Sequence, residues 1–236
     1  MASKRARLDR FLSASTGIHR RDVRALLARG RVQVDGRTAS DINQVIDQFS
    51  HVRLDQRVLQ SRTATYIMLH KPTGVVSATR DEHHKTVTDL LTRADRSELH
   101  IVGRLDFNTS GLLLLTNDGR WSRGLSSPEM NVSKLYRVTL ANPITPDYIE
   151  AFAQGMYFDY EGVTTRPAQL QIIDEHVAEV SLVEGRYHQI KRMFGRFRNP
   201  VQALHRVSVG NLRLDQTLAP GQYRELTQAE LDNINQ

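Results

Sequence analysis

The side chains best suited to chemistry are concentrated in Gly103-Arg104-Leu105-Asp106-Phe107-Asn108-Thr109-Ser110-Gly111. This polar, glycine-bounded loop lies between Ile101-Val102 and the aliphatic run Leu112 to Leu115. Loops held between buried strands often carry function. Asp106 is a carboxylate two residues from a guanidinium and just upstream of an apolar strand, which places it near the edge of the core. The alternative is a turn in which Asp106, Asn108, Thr109 and Ser110 only cap backbone amides. Other catalytic templates are missing: no zinc-binding His-Glu-x-x-His helix, no Gly-x-Ser-x-Gly elbow, no Walker loop and no Gly-x-Gly-x-x-Gly fingerprint. His83 and His84 are adjacent and point apart, and His188 and His205 have no partner legible in the sequence, so no metal site is expected.

Those residues need elements to position them. Leu8, Phe11 and Leu12, then Val23, Leu26 and Leu27, repeat at i, i+3, i+4, which predicts two short helices, the second stopped at Gly30. Val32 and Val34 alternate into an Asp35-Gly36 turn, and Val52, Leu54 and Val58 keep strand spacing. Residues 61–65 are polar and without apolar periodicity, so they read as a linker between a small helix-helix-sheet domain at 1–60 and a larger domain at 66–236. In the larger domain the spacing predicts strands at Tyr66–Leu69, Ile101–Val102, Leu112–Leu115, Tyr136–Leu140, Ala168–Ile173 and Val177–Leu182. Pro72 and Gly74 set a turn after the first of these. A short helix is expected at Thr86–Leu91, and another between His188 and Phe197, where Ile190, Met193, Phe194 and Phe197 share a face. Strands mixed irregularly with helices indicate an α+β fold, here a mixed and mainly antiparallel sheet with flanking helices.

The chain has 236 residues with 39% hydrophobic side chains and no cysteine. Disulfide scaffolds and every thiolate site are thereby excluded. No apolar run approaches a membrane span, and the first 17 residues lack a signal-peptide segment, so the expected location is the cytoplasm. Asp9 and Asp22 argue against an arginine-rich transit peptide. The formal net charge of +6 points to a polyanionic partner, and all of it sits in residues 1–60, which hold 12 basic and 6 acidic side chains. Arg20, Arg21, Arg24 and Arg31 surround the second helix and its exit as expected phosphate contacts. Gly185 to Leu214 contains no acidic residue, so Lys191, Arg192 and Arg196 form a second basic surface.

Gly103-Arg104-Leu105-Asp106 with Thr109-x-Gly111-Leu112-Leu113, then Lys134-x-Tyr136, then Gly185-Arg186-Tyr187-His188-Gln189-Ile190-Lys191-Arg192-Met193, resemble in order the motifs of ribosomal RNA pseudouridine synthases. Lys71-Pro72-x-Gly74 resembles the same family's Asn-Lys-Pro-x-Gly element, with His70 in place of Asn. Residues 7 to about 57 resemble the S-four-like RNA-binding module through Arg7-Leu8-Asp9, the basic second helix and Gly30-x-Val32-x-Val34-x-Gly36, although His19-Arg20 stands where Ser-Arg is usual. Trp121-Ser122, Ser127-Pro128 and Gly185 to Gln189 are most similar to the branch that modifies small-subunit (16S) RNA.

The resemblance implies an isomerase that breaks the uracil N1 to ribose C1′ bond and rejoins the base through C5, without cofactor or metal. It makes Asp106 the reacting carboxylate, attacking either ribose or base ring, with Lys191 as its cation where many relatives have Arg. Tyr136 becomes the active-site tyrosine and Ile190 an apolar wall, a position that suits core packing equally. Arg104 either fills the place vacated by the flipped uridine or contacts phosphate. Arg7, Lys71, Arg186 and His188 join the arginines above as expected RNA contacts. The implied partner is ribosomal RNA, in a small-subunit assembly intermediate with ribosomal proteins, and a monomer is the default state. Two alternatives remain: a large-subunit (23S) enzyme, and a non-catalytic RNA-binding assembly factor. A uridine C5 methyltransferase is disfavoured because that chemistry typically uses a cysteine.

Overall fold

A computed structural model describes residues 5–234. The chain divides into two compact units, Met1–Ala64 and Thr65–Gln236, each with its own apolar core.

In the first unit, β1 (Ala6–Arg7) leads into α1 (Leu8–Thr16) and α2 (Arg20–Ala28). Gly17 ends α1 with φ 76°, returning its N–H to the Ser13 carbonyl. Leu8, Leu12, Val23, Leu26 and Leu27 are buried together with Val32, Val34 and Val52, so the i, i+3, i+4 spacing marks the face that packs. The short strands β2 (Val32–Val34), β3 (Arg37–Thr38), β4 (Val45–Ile46), β5 (Val52–Leu54) and β6 (Arg57–Gln60) follow. β3, β2, β5 and β6 form an antiparallel sheet in that order, and β1 pairs with β4. The β2–β3 turn is the Asp35-Gly36 pair, with φ of 51° and 78°, the positive values a two-residue hairpin needs.

The second unit is built from β7 (Tyr66–Lys71), β8 (His100–Val102), β9 (Thr109–Thr116), α3 (Gly119–Ser126), β10 (Lys134–Leu140), α4 (Asp147–Gln154), β11 (Tyr157–Phe158), β12 (Val163–Thr164), β13 (Gln169–Asp174), β14 (Val177–Leu182), α5 (Gln189–Gly195), β15 (Val201–Val209), β16 (Leu212–Arg213), β17 (Tyr223–Glu225) and α6 (Gln228–Asn233). Among the described residues, nine strands form one sheet along the path β13-β14-β10-β15-β9-β7-β17, with β16 on β15 and β8 on β9. Its pairings are antiparallel except β15 with β9. The fold is α+β, as the irregular mix of strands and helices predicts. The helix expected at Thr86–Leu91 is a single 3-10 turn, Val87–Leu90, closed by a capping box between Thr86 and Asp89.

β9 is buried along almost its whole length because core lies on both faces. Leu113 and Leu115 pack with Tyr136, Ile190, Met193 and Phe194 on one side. Leu112 and Leu114 pack with Met68, Val102 and Leu125 on the other. The strand is therefore rigid where it emerges from the loop carrying Asp106.

Candidate active site

The Asp106 loop is fixed by its backbone. The Ser77 hydroxyl donates to the Leu105 carbonyl at 2.6 Å and accepts from the Leu105 N–H at 3.1 Å, and the Gly74 N–H donates to Phe107 O at 3.0 Å. Lys71, wholly buried, donates from Nζ to the carbonyls of Pro72 (2.9 Å), Asp106 (3.1 Å) and Thr109 (2.8 Å). Burial pulls this ammonium down to about 8; the Asp106 charge opposes the shift and Arg206 adds to it. Lys71 is expected at the RNA surface, and the structure corrects this. It follows Ile67 and Leu69 on the inward face of β7, and its donors are spent holding the backbone of the Asp106 loop.

The Asp106 carboxylate, a third exposed, faces α5. Its Oδ2 lies 3.3 Å from Lys191 Nζ and 3.5 Å from His188 Nε2. Both basic groups come from the acid-free segment. His188 caps α5 in the left-handed region at φ 49°, and the turn before it is latched by Glu184, a buried carboxylate. Glu184 accepts from the Arg166 N–H (2.9 Å), Arg186 Nε (3.2 Å) and Gln189 Nε2 (2.6 Å), while Gln189 Oε1 accepts from the Arg186 N–H at 3.0 Å. Neither Glu184 nor Gln189 is expected as a site residue from the sequence; Glu184, the last acid before the acid-free run, is the available signal.

Around Asp106 a solvent-open cleft of about 470 Å³ is lined by Arg104, Tyr136, Arg186, His188, Ile190 and Lys191, among others. Tyr136 and Ile190 are mostly buried and present apolar surface to the cleft. Arg104 is exposed and makes no ion pair among the described residues.

Behind Tyr136 lies Arg206, 2% exposed, which the sequence reading misses. Its Nε donates to Leu112 O at 2.7 Å, one terminal nitrogen to Gly103 O at 2.8 Å, and the other approaches the Tyr136 hydroxyl at 3.5 Å. In register it sits opposite Tyr136 on β10 and Gly111 on β9. A Cβ at position 111 would stand 2.3 Å from the Arg206 carbonyl oxygen, and φ there is 111°, so only glycine lets the two strands meet.

Comparison with known proteins settles what this arrangement belongs to. A family model described as RNA pseudouridylate synthase matches residues 65–195, which hold Asp106, Tyr136, His188 and Lys191. The chain belongs to that family. It is 49% identical to a Pseudomonas aeruginosa protein named ribosomal small subunit pseudouridine synthase A, covering 97% of this chain and 100% of that one. The Escherichia coli protein of the same name is 39% identical, covering 97% and 99%. A crystal structure of a pseudouridylate synthase aligns with TM-score 0.71 at 36% identity, over 97% of this chain and 99% of the other.

As a pseudouridine synthase the chain has several arginines whose partners are within the protein. Arg192 forms a two-point ion pair with Glu161 (2.6 and 2.5 Å) and lies 3.7 Å from the Phe158 ring centre. Arg196 donates to Tyr157 O at 2.7 Å. In the first unit Arg7 and Arg20 both hold Asp9, at 3.1 and 2.7 Å, and Arg31 holds Asp55 at 2.5 Å. Arg21 is 80% exposed with only a long contact to Asp22, and Arg24 is exposed and without an ion pair among the described residues.

Proposed function

We propose that this chain converts a specific uridine of small-subunit (16S) ribosomal RNA to pseudouridine, with Asp106 as the reacting carboxylate. The observation that carries the reading is the convergence of Lys191 and His188 on Asp106 in a cleft walled by Tyr136 and Ile190. The names of relatives 49% and 39% identical over nearly the whole chain support small-subunit RNA as the target.

In this reading the N1 to C1′ bond breaks, the base turns, C5 bonds to C1′, C5 loses its proton and N1 gains one. The product is an isomer, so no oxidant, reductant or cofactor is consumed. Attack at C1′ and attack on the pyrimidine ring both start from the Asp106 carboxylate. Lys191 orients that carboxylate and balances its charge as a point donor, without the two-pronged grip an arginine would have. Tyr136 stacks on the uracil and brings its hydroxyl towards the departing proton. The uridine must leave its stack at a cost of a few kcal/mol, and unpaired Arg104 fills the vacated place. The first unit holds the RNA backbone through Arg21 and Arg24, with Arg7, Arg20 and Arg31 presenting the outer edges of their paired guanidiniums. We place this activity in the cytoplasm, carried out by a monomer on an assembly intermediate that includes ribosomal proteins.

The test is tritium release from RNA labelled at uracil C5, with small- and large-subunit transcripts, with and without bound ribosomal proteins. Wild type releases label from small-subunit RNA. Asp106→Ala lowers the rate by on the order of 10³-fold or more while RNA affinity stays within about threefold. Release from large-subunit RNA alone moves the target, and binding without any release makes the protein a non-catalytic assembly factor.

A further inference from the structure

Tyr187 differs from every other residue of the turn before α5. Its neighbours are latched: Arg186 and Gln189 are tied to buried Glu184, and His188 faces Asp106 at 3.5 Å. Tyr187, by contrast, is 74% exposed as a residue. Its ring lies flat on the His188 ring, with centroids 3.9 Å apart and planes 20° from parallel. One face is thus covered by a histidine that lines the cleft, and the rest is turned to solvent at the cleft's edge.

We propose that Tyr187 is a stacking platform for a nucleotide next to the target uridine, and so a residue that positions the RNA strand and selects its local conformation. This rests on the cleft taking a uridine from RNA, as proposed above. Three observations favour a base over an apolar protein segment. The ring's sequence neighbours Arg186, His188 and Lys191 are basic and the stretch from Gly185 to Leu214 holds no acid, so the cations there balance Glu184 and Asp106 and leave no net negative charge to repel a phosphate backbone. An isolated exposed ring backed by a second ring matches the π-face of a single base, and its sequence neighbours are basic or polar rather than the apolar patch that would suit a protein. The turn is already rigid, so stacking there orders little of the protein. A uridine drawn into the cleft loses its own stacking neighbours, and Tyr187 lies where one of them can recover a stacked surface.

The experiment is a cycle of Tyr187→Ala against RNA carrying an abasic nucleotide immediately 5′ or 3′ of the target, read as KM and kcat for tritium release by the full chain. On intact RNA, Tyr187→Ala raises KM roughly 5- to 150-fold, the range for loss of one base-aromatic stack, and Tyr187→Phe, which keeps the ring, restores the wild-type KM. On one of the two abasic RNAs the Ala penalty disappears, because ring and base act only together. A penalty that persists undiminished on both abasic RNAs overturns the proposal and leaves Tyr187 as a support for His188, and the absence of any penalty on intact RNA overturns it outright. If the wild-type protein converts no uridine, the proposed function has failed and takes this inference with it; conversion by wild type without coupling sinks the inference alone.

Discussion

The two units use charge in opposite ways. The first carries a formal charge of +7, more than the whole excess of the chain, yet Arg7 and Arg20 share Asp9 and Arg31 is bound to Asp55. The second is slightly acidic in sum, at −1, yet two basic groups converge on one carboxylate in an open cleft. Net charge therefore reports the class of partner, while pairing in space decides which residues are available to meet it. The surplus of the first unit suits long-range attraction to RNA, and the local pairing in the second suits chemistry at one base.

The strongest way to break the comparison is to disturb the second unit without touching Asp106 or the basic groups that face it. Arg206 lies behind the cleft and holds two carbonyls and the Tyr136 hydroxyl. Arg206→Met leaves the Leu112 and Gly103 carbonyls unpaired, at about 1–3 kcal/mol each. We expect a loss of roughly 2–6 kcal/mol in urea unfolding followed by Trp121 fluorescence, together with a fall in kcat. Arg206→Lys keeps the charge but not the fork, and recovers only part of either. Unchanged stability in Arg206→Met would show that these hydrogen bonds are incidental.

Removing Met1–Ala64 sharpens the comparison from the other side. Among the described residues, the cores of the second unit draw none from this segment, so Thr65–Gln236 keeps its fold. RNA affinity should fall by at least about tenfold, and the plot of log Kd against log salt should flatten by about 0.7 for each phosphate that the first unit neutralises. The single-turnover rate at saturating RNA should change far less. Equal affinity and equal salt slope for the truncated protein would refute a binding role for the first unit.

What the sequence discloses follows the same division between local and distant. The helices of the first unit, the Asp35-Gly36 turn and the buried run of β9 are legible because apolar spacing records which face packs. Asp106, Tyr136, Lys191 and Arg104 are legible through ordered motifs, and the structure brings all four to one cleft. Arg206 is not legible, because its role arises from the parallel pairing of β15 with β9, which brings together residues about 95 positions apart, and nothing local encodes that register. Lys71 is misread for a different reason. Alternation of Ile67, Leu69 and Lys71 along β7 already points it inward, but a lysine in a basic RNA-binding chain is easily taken for a surface contact. Sheet order is hidden likewise, since β10 has β14 and β15 as neighbours and both come late in the chain.

The smallest effect tests the pairing in the first unit directly. Asp9 is 2% exposed, and the Arg20 hydrogen bond, then Arg7, hold its carboxyl at about 2 against the opposing pull of burial. In the unfolded chain the same group returns to about 3.8. Between these values the unfolded state binds a proton that the folded state refuses, so the stability owed to this carboxylate is complete above about 4 and drains away as pH falls through 2. Asp9→Asn removes the titration. Because the first unit contains neither tryptophan nor tyrosine, the readout is amide hydrogen exchange at Leu12, Val23 and Leu27. Wild type should lose protection from pH 4 to pH 2 more steeply than Asp9→Asn, which starts lower at neutral pH because Arg7 and Arg20 have lost their shared partner. Parallel curves would mean that the two arginines do not hold Asp9 in solution and are as free to meet phosphate as Arg24.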